Sequence, residues 1–377
     1  MSDKKIEIVL EKQVDIEEFK KVIGFISEDI TDYSFCDNKI YISLNDYSYE
    51  KEIADQVLEM SKKYVSNNEI EKLVYCNRNK KEIYFNSFQT VHYFDNGMIS
   101  LSKQSRFIYL FFEQTIIDII NNCFKNRECD ILSKIYPVML PIKSYKKTGY
   151  LKRTPQYSFF CCSLCENISK LNSLKNDEYK KMLKTPKYSL SPSACFHVYE
   201  EYKNTELDRN TVITFTQSVF RNEGRFNFQE FGRMRDYHVR EIVFIGSEDF
   251  VKNSRQLFID KVKEIIEKMK IDAKISIASD PFILPHMQKY KKIQIIDNSK
   301  YELSFFYDEE HSVSVGSFNL HGTAFTIPFN FSVKDTETVT GCIGFGLERL
   351  VLTFLSQFGE NEQNWPEEIR KKYEEIK

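Results

Sequence analysis

The first 65 residues alternate short apolar runs with two stretches of helical period. Alternation of apolar and polar positions predicts strands over residues 6–10, 32–35 and 39–44. Apolar positions three and four apart predict helices over residues 16–26 and 49–64. Asp37 and Asn38 supply a turn between the second and third strands. The pattern predicts a small β-α-β-β-α unit at the start of the chain.

The remainder of the chain is rich in short apolar runs that are typical of strands. It opens with a long predicted helix over residues 102–124, followed by a strand over residues 131–140 that meets Pro141. Further strands are predicted over residues 157–162, 194–199, 212–220, 240–245, 293–296, 301–307, 312–318 and 324–329. Helices interrupt them over residues 248–269 and 346–358. Because few helices separate many strands, we expect an α+β fold with an antiparallel sheet flanked by helices.

Composition and charge narrow the class of protein. The chain is 42% hydrophobic, which is enough for a large core. Its length of 377 residues suggests two domains, and we expect an N-terminal α/β domain over residues 1–90 and a catalytic domain over residues 91–377. The net charge of −2 excludes a generic polyanion binder, and residues 1–90 hold 13 basic against 18 acidic residues. No apolar stretch has membrane-spanning length, and the first residues lack a signal-peptide core. We therefore expect a cytoplasmic protein with no membrane role and with little affinity for tRNA.

An arginine-rich loop lies between two predicted strands, in the segments FRNE (220–223) and RMRDYHVRE (233–241). Arg221 offers a planar fork to the α-phosphate of a nucleoside triphosphate, and Arg225 and Arg233 can reach the outer phosphates. Tyr237 offers a flat face to a base, and Glu223 can accept a hydrogen bond from an exocyclic amine. Spacing alone leaves open an ordinary solvated hairpin with surface arginines.

A glycine-rich segment, TGCIGFGLERL (340–350), runs directly into a predicted helix. Its glycines allow close approach to the backbone, and Arg349 in the first helical turn can neutralise phosphate charge. Together with the arginine-rich loop, this segment resembles motifs 2 and 3 of class II aminoacyl-tRNA synthetases, and residues 102–141 resemble their motif 1. The resemblance extends over residues 90–360.

Within that superfamily the chain most resembles the amino acid:[carrier protein] ligases, which are related to the catalytic core of atypical archaeal seryl-tRNA synthetases. Several separate segments carry this resemblance, in the order of the family. They are YPVMLP (136–141), KTGYLK (147–152), PSACF (192–196), ASDPF (278–282), KYEL (300–303), SFNLH (317–321) and TGCIGFG (340–346).

The resemblance implies a catalytic Zn²⁺ held by Cys195, Glu241 and Cys342. Three protein ligands leave one coordination position open, which is the pattern of a catalytic zinc rather than a structural one. The open position suits the amine of an amino acid. Most of the cysteines are expected to be free thiols, because an odd total of nine in a long chain is unlike a disulfide scaffold. The spacing of Cys161, Cys162 and Cys165 leaves open a metal or redox role beside ordinary packing.

The resemblance also implies Mg²⁺ bridging the phosphates of ATP, held by Glu302 and Glu348. A paired structural carboxylate is the alternative for each of these acids. Asn319 resembles the family residue that lines the amino-acid pocket. Arg221 and Arg349 are the expected catalytic residues, because they would position and neutralise the reacting phosphate.

The predicted reaction has two steps. ATP-dependent activation of a small amino acid gives an aminoacyl-adenylate, and the phosphopantetheine thiol of a carrier protein then accepts the aminoacyl group. The resemblance further implies a homodimer formed through the motif 1 helix and strand. Two alternatives stay open, a tRNA-charging synthetase of the seryl type and a catalytically silent regulatory paralogue of the same fold.

Overall fold

The computed structural model describes residues 4–64, 72–79, 81, 83–95, 97–125 and 127–375. The strands are β1 (Ile6–Val9), β2 (Ile30–Cys36), β3 (Lys39–Leu44), β4 (Leu73–Asn77), β5 (Val91–Phe94), β6 (Met98–Leu101), β7 (Asp130–Ser133), β8 (Met139–Pro141), β9 (Phe159–Cys161), β10 (Tyr188–Leu190), β11 (Glu206–Leu207), β12 (Thr211–Phe220), β13 (Asp236–Gly246), β14 (Ala273–Ile277), β15 (Lys300–Phe306), β16 (Ser312–Gly322), β17 (Ser332–Val333) and β18 (Val339–Gly346). The helices are α1 (Ile16–Ile23), α2 (Glu50–Ser61), α3 (Lys103–Phe124), α4 (Ile142–Lys147), α5 (Tyr150–Arg153), α6 (Ile168–Asn172), α7 (Phe196–Glu201), α8 (Glu248–Lys268), α9 (Gln288–Ile296), α10 (Thr326–Phe329), α11 (Leu347–Phe358) and α12 (Glu367–Glu374).

Residues 4–64, the N-terminal unit, have the predicted β-α-β-β-α order. Strands β1, β3 and β2 form an antiparallel sheet in that spatial order. Helix α1 begins at Asp15, whose side chain accepts a hydrogen bond from the backbone of Glu18, as expected of an N-cap. Phe19, Ile23 and Ile42 are fully buried in a hydrophobic cluster of the unit's own. The N-terminal unit therefore has a separate small core.

A large sheet organises the rest of the molecule. Its strands lie in the order β4-β14-β15-β16-β18-β13-β12-β7, and every neighbouring pair except β12 and β7 is antiparallel. Helices α3, α8 and α11 pack on one face, where Ile343 and Phe345 of β18 join the largest hydrophobic cluster. The prediction of an α+β fold with an antiparallel sheet is confirmed. Within the described part of the chain, no helix has the length and apolar character needed to cross a bilayer.

The edge strand of this sheet comes from the segment that follows the N-terminal unit. Strand β4 pairs with β14, although it lies inside residues 1–90, which the sequence assigned to the N-terminal domain. The domain boundary at residue 90 stays a prediction, and residues 73–77 are structurally part of the large sheet.

Three predicted strands are helices. Residues 194–199, 293–296 and 324–329 contribute to α7, α9 and α10 respectively. A short apolar run has no periodicity that distinguishes a strand from a buried helical turn, which explains these errors. The predicted strand over residues 131–140 is also wrong as one element, because β7 joins the large sheet and β8 joins a separate sheet with β10 and β9.

Candidate active site

The face of the large sheet opposite α3, α8 and α11 collects most of the residues singled out in the sequence. Successive side chains alternate between faces, and paired residues on neighbouring strands share a face. Glu241 pairs with Gly344, Cys342 with Asn319, and both pairs lie on this face. We call it the site face; Tyr237 and Glu302 also lie on it.

Cys195, Glu241 and Cys342 converge on the site face. One ligand atom from each lies within 4.8 Å of the other two, and all three side chains are buried. Glu241 and Cys342 come from adjacent strands β13 and β18, and Cys195 lies at the start of α7 above them. No other group of three potential ligands forms among the residues described. The three residues named as zinc ligands from sequence are thus neighbours in space.

Hydrogen-bond donors surround the two sulfur atoms of this cluster. The Asn319 amide donates to Cys342 Sγ at 3.6 Å, and His321 Nε2 lies 3.6 Å from the same sulfur. The Ser193 hydroxyl lies 3.3 Å from Cys195 Sγ. His321 Nδ1 lies 3.2 Å from the Tyr199 hydroxyl, so both ring nitrogens are engaged. Such donors orient metal ligands and reduce the charge on a thiolate.

Without a cation, it is unfavourable for Cys195, Glu241 and Cys342 all to carry a negative charge in this buried cluster. Burial and the charge of Cys195 raise the pKa of Glu241 well above its usual range. The hydrogen bond between the two thiols, together with burial, raises the pKa of Cys342, and the same bond lowers the pKa of Cys195. A divalent cation would relieve this repulsion, and two thiolates with one carboxylate are a donor set that suits Zn²⁺.

Two glycines of the TGCIGFG segment lie in close contact with neighbouring groups, Gly344 on the site face and Gly341 on the helix-covered face. A Cβ atom on Gly344 would lie 2.7 Å from Glu241 Oε2. A Cβ atom on Gly341 would lie 2.7 Å from Val251 and 2.8 Å from the Asn319 carbonyl oxygen. These glycines therefore serve close packing between protein groups, in addition to any approach of a nucleotide.

Arg221 and Arg349 meet at Tyr237. Their guanidinium carbons lie 5.9 and 5.2 Å from the centre of the Tyr237 ring. Arg221 donates to the Pro192 carbonyl, and Arg349 donates to the carbonyls of Gly232 and Ser314. Tyr237 is only 5% exposed, so it supports the two cations and offers little free surface for stacking a base.

The other loop residues of the arginine-rich segment divide into two groups. Arg233 forms ion pairs with Glu223 and Glu230, at 3.3 and 2.9 Å. Glu223 is 3% exposed. Arg225, expected from sequence to reach the phosphates, instead donates to backbone carbonyls of the N-terminal unit.

The two acids named for Mg²⁺ have different cationic partners. Glu302 lies on the site face, 3.1 Å from Lys300. Glu348 accepts from the imidazole and the backbone N–H of His238, whose side chain alternates to the helix-covered face. The assignment of both carboxylates to Mg²⁺ stays a prediction.

The partly exposed ion pair between Asp280 and Lys300 was not predicted from the sequence. The two groups lie 2.9 Å apart, and the charge of Lys300 outweighs burial to lower the pKa of Asp280 to about 2. Both residues lie in segments that carry the family resemblance, so the sequence marked each of them as a candidate site residue. Their pairing could not be predicted, because it depends on how the loop that carries Asp280 packs beside β15.

The sheet order and the helices behind it are those of the class II aminoacyl-tRNA synthetase fold. In solved structures, the chain is similar to seryl-tRNA synthetase of Methanopyrus kandleri in a complex with Aquifex aeolicus tRNA(Sec). The TM-score is 0.70 at 20% identity, over 99% of this chain and 77% of the other. It is also similar to the cytoplasmic serine–tRNA ligase of Naegleria fowleri in complex with AMP, with a TM-score of 0.54 at 10% identity, over 86% and 77% of the two chains.

Among curated proteins, the chain is similar to type-2 serine–tRNA ligases of archaea. It is 28% identical to that of Methanococcus maripaludis over 63% of this chain and 50% of the relative. It is 26% identical to that of Methanocaldococcus jannaschii over 70% of this chain and 53% of the relative. The chain thus spans about half the length of these curated relatives. No protein-family model matches it.

These relatives contradict the predictions about partners. The sequence reasoning disfavoured tRNA and named a phosphopantetheinylated carrier protein as acceptor, whereas the similar proteins are serine–tRNA ligases and one was solved with tRNA. The acidic balance of residues 1–90 misled because net charge does not determine which surface faces an RNA. The relatives give no support to a carrier protein as acceptor, while the broader synthetase resemblance is confirmed.

Proposed function

We propose that this chain activates an amino acid with ATP and transfers the aminoacyl group to tRNA, with serine as the first candidate substrate. The observation that carries the proposal is the buried cluster of Cys195, Glu241 and Cys342 on the same sheet face as the Arg221 and Arg349 pair. The charge of Arg221 acts on Glu241, so the two parts of the site are close. The serine–tRNA ligases named above support the choice of amino acid and acceptor.

Cys195, Glu241 and Cys342 would hold Zn²⁺ with one position open. The bound ion would supply a Lewis acid for the amine of the amino acid, which separates amino acids from plain carboxylic acids. Asn319 and His321 orient the Cys342 sulfur through the hydrogen bonds described above. Asn319, expected to line the amino-acid pocket, would therefore act on substrate at least partly through this ligand.

In the first step the amino acid carboxylate attacks the α-phosphorus of ATP, and the bond to the bridging oxygen of pyrophosphate breaks. Arg221 and Arg349 would bind the phosphate oxygens and stabilise the charge that develops on them. Their backbone hydrogen bonds to Pro192, Gly232 and Ser314 hold both guanidinium groups in place before ATP arrives. In the second step a ribose hydroxyl at the tRNA terminus attacks the adenylate carbonyl, and AMP leaves.

Amino-acid-dependent exchange of pyrophosphate into ATP, measured with a panel of amino acids, tests the first step. We expect exchange with serine and with few others, and equimolar zinc in the purified protein by elemental analysis. Aminoacylation of tRNA with the accepted amino acid tests the second step. Absence of exchange with every amino acid would leave the silent paralogue, and exchange without charging of any tRNA would refute the proposed acceptor.

A further inference from the structure

We propose that the N-terminal unit is a positioning element for the ATP-binding loop, acting through Arg225 and Phe226. The loop in question comprises residues 221–235, between β12 and β13, and we call it the arginine loop. It carries Arg221, Glu223 and Arg233, so its conformation decides whether these side chains face ATP. The inference rests on the proposed function for its kinetic part only.

Arg225 binds the C-cap residue of helix α1 and the turn that leads from α1 to β2. Its guanidinium donates to the carbonyl oxygens of Gly24, Ser27 and Ile30 at 3.0, 2.7 and 2.6 Å. The last carbonyls of a helix lack partners within the helix, and a cation is favourable there because of the helix dipole. One planar guanidinium thus binds three carbonyls of the N-terminal unit, a geometry that a lysine ammonium cannot reproduce.

Phe226 packs against the hydrophobic cluster of the N-terminal unit. Its ring meets Tyr33 edge-to-face with the centroids 5.2 Å apart. Two glycines permit this fit. A Cβ atom on Gly24 would lie 3.0 Å from Phe226, and one on Gly224 would lie 2.8 Å from Phe25.

Asn227 connects the same contact to the backbone of Glu223. Its amide donates to the Lys21 carbonyl of α1 at 3.2 Å and to the Glu223 carbonyl at 2.6 Å. Asn227 is 6% exposed, so both hydrogen bonds are shielded from water. A displacement of α1 would therefore move the backbone at Glu223, whose carboxylate pairs with Arg233.

The N-terminal unit is itself fixed to the catalytic part at a second point. Lys291 of α9 pairs with Glu18 at 2.8 Å, and the Tyr64 hydroxyl donates to the Ile283 carbonyl at 3.3 Å. The unit is therefore held at Glu18 and at Tyr64 as well as at the arginine loop, which makes it a fixed support for that loop. Binding of ATP to a loop that is already ordered avoids the cost of ordering it.

The test compares the full-length chain with Arg225→Ala, Phe226→Ala and the conservative variant Phe226→Leu. Arg209→Ala is the matched control, because Arg209 is an exposed arginine that contacts Asp130. We expect faster hydrogen exchange of amides in residues 221–235 in both alanine variants. If the arginine loop of these variants has its ATP-binding conformation about a tenth of the time, the KM for ATP should rise about tenfold. The kcat at saturating ATP should change little. Phe226→Leu should restore most of the protection, and Arg209→Ala should resemble the unmodified chain.

Unchanged hydrogen exchange in both alanine variants would overturn the proposal, as would a fall in kcat at an unchanged KM for ATP. If the unmodified chain shows no pyrophosphate exchange, the proposed function fails. The hydrogen-exchange comparison still decides the role of the N-terminal unit in that case. Thermal unfolding separates local release of the loop from global destabilisation, because Arg225 is exposed and its replacement removes no core packing.

Discussion

Replacement of Gly344 by alanine should weaken zinc binding without altering any ligand. Gly344 faces Glu241 across the β13–β18 pair, and an added methyl carbon would lie 2.7 Å from Glu241 Oε2 and 3.1 Å from Val239. Ordinary contacts begin near 3.4 Å, so the carboxylate must withdraw by about 0.7 Å. Metal–ligand distances in proteins hold to within about 0.2 Å, so this displacement exceeds what the coordination sphere tolerates.

The magnitude follows from changes that disturb ligand orientation, which typically cost 10- to 100-fold in metal affinity, and we expect a loss of about that size. Competition with a chromophoric chelator measures the zinc affinity. Gly346→Ala is the matched control on the same strand and face, because its Cβ atom would lie 3.5 Å from Tyr237, an ordinary contact. Wild-type affinity in Gly344→Ala, or equal losses in both variants, would refute the assignment of Glu241 as a ligand.

Three further outcomes are expected. Cys342→Ser should abolish stoichiometric zinc in elemental analysis while the chain stays folded by circular dichroism, and retained zinc would contradict the ligand set. Arg349→Ala should lower pyrophosphate exchange about 100-fold with zinc content unchanged, because it removes a donor aimed at developing phosphate charge; an unaltered rate would remove Arg349 from the mechanism. Lys21 and Lys291 outweigh burial and lower the pKa of Glu18 from 4.5 to about 2. The pair therefore stabilises the fold above pH 4.5, and this contribution, about 1 kcal/mol after solvent screening, should vanish as the pH falls towards 2. Urea unfolding of Glu18→Gln should lose about 1 kcal/mol less than the unmodified chain over that pH range, and a pH dependence identical to that of the unmodified chain would contradict the pairing.

The elements predicted well are those with a long, unambiguous period. Helix α3 has ten buried residues spaced along one side, and its predicted and observed ends differ by one residue at most. Strand β12 runs mostly apolar for ten residues, and its predicted and observed ends differ by one residue at most. Strand β13 was predicted only over residues 240–245, because its first residues, DYHV, are largely polar, and the observed strand begins at Asp236. The secondary structure of residues 194–199 could not be predicted from periodicity, because six mostly apolar residues are compatible with a buried helix as well as with a strand.

The candidate site divides along a similar line. The family resemblance identified Cys195, Glu241 and Cys342 as a group. Their positions in space depend on the register of β13 and β18, which the sequence alone does not give. The contacts of Arg225 could not be predicted from the sequence. An arginine in a loop carries no sequence signal for carbonyl oxygens that lie 195 to 201 positions away in the chain. Glu348 was assigned to Mg²⁺ because of the family resemblance. Its pairing with His238 could not be predicted, because it depends on where α11 joins the sheet.

Strand β4 has a practical consequence for dissecting the molecule. It protects the open edge of β14, and a shortened chain that began at residue 91 would expose that edge's unpaired amides and carbonyls. Such a fragment would be prone to self-association through strand addition, whatever its chemistry. Excision experiments should therefore cut ahead of Leu73, so that the sheet keeps its border.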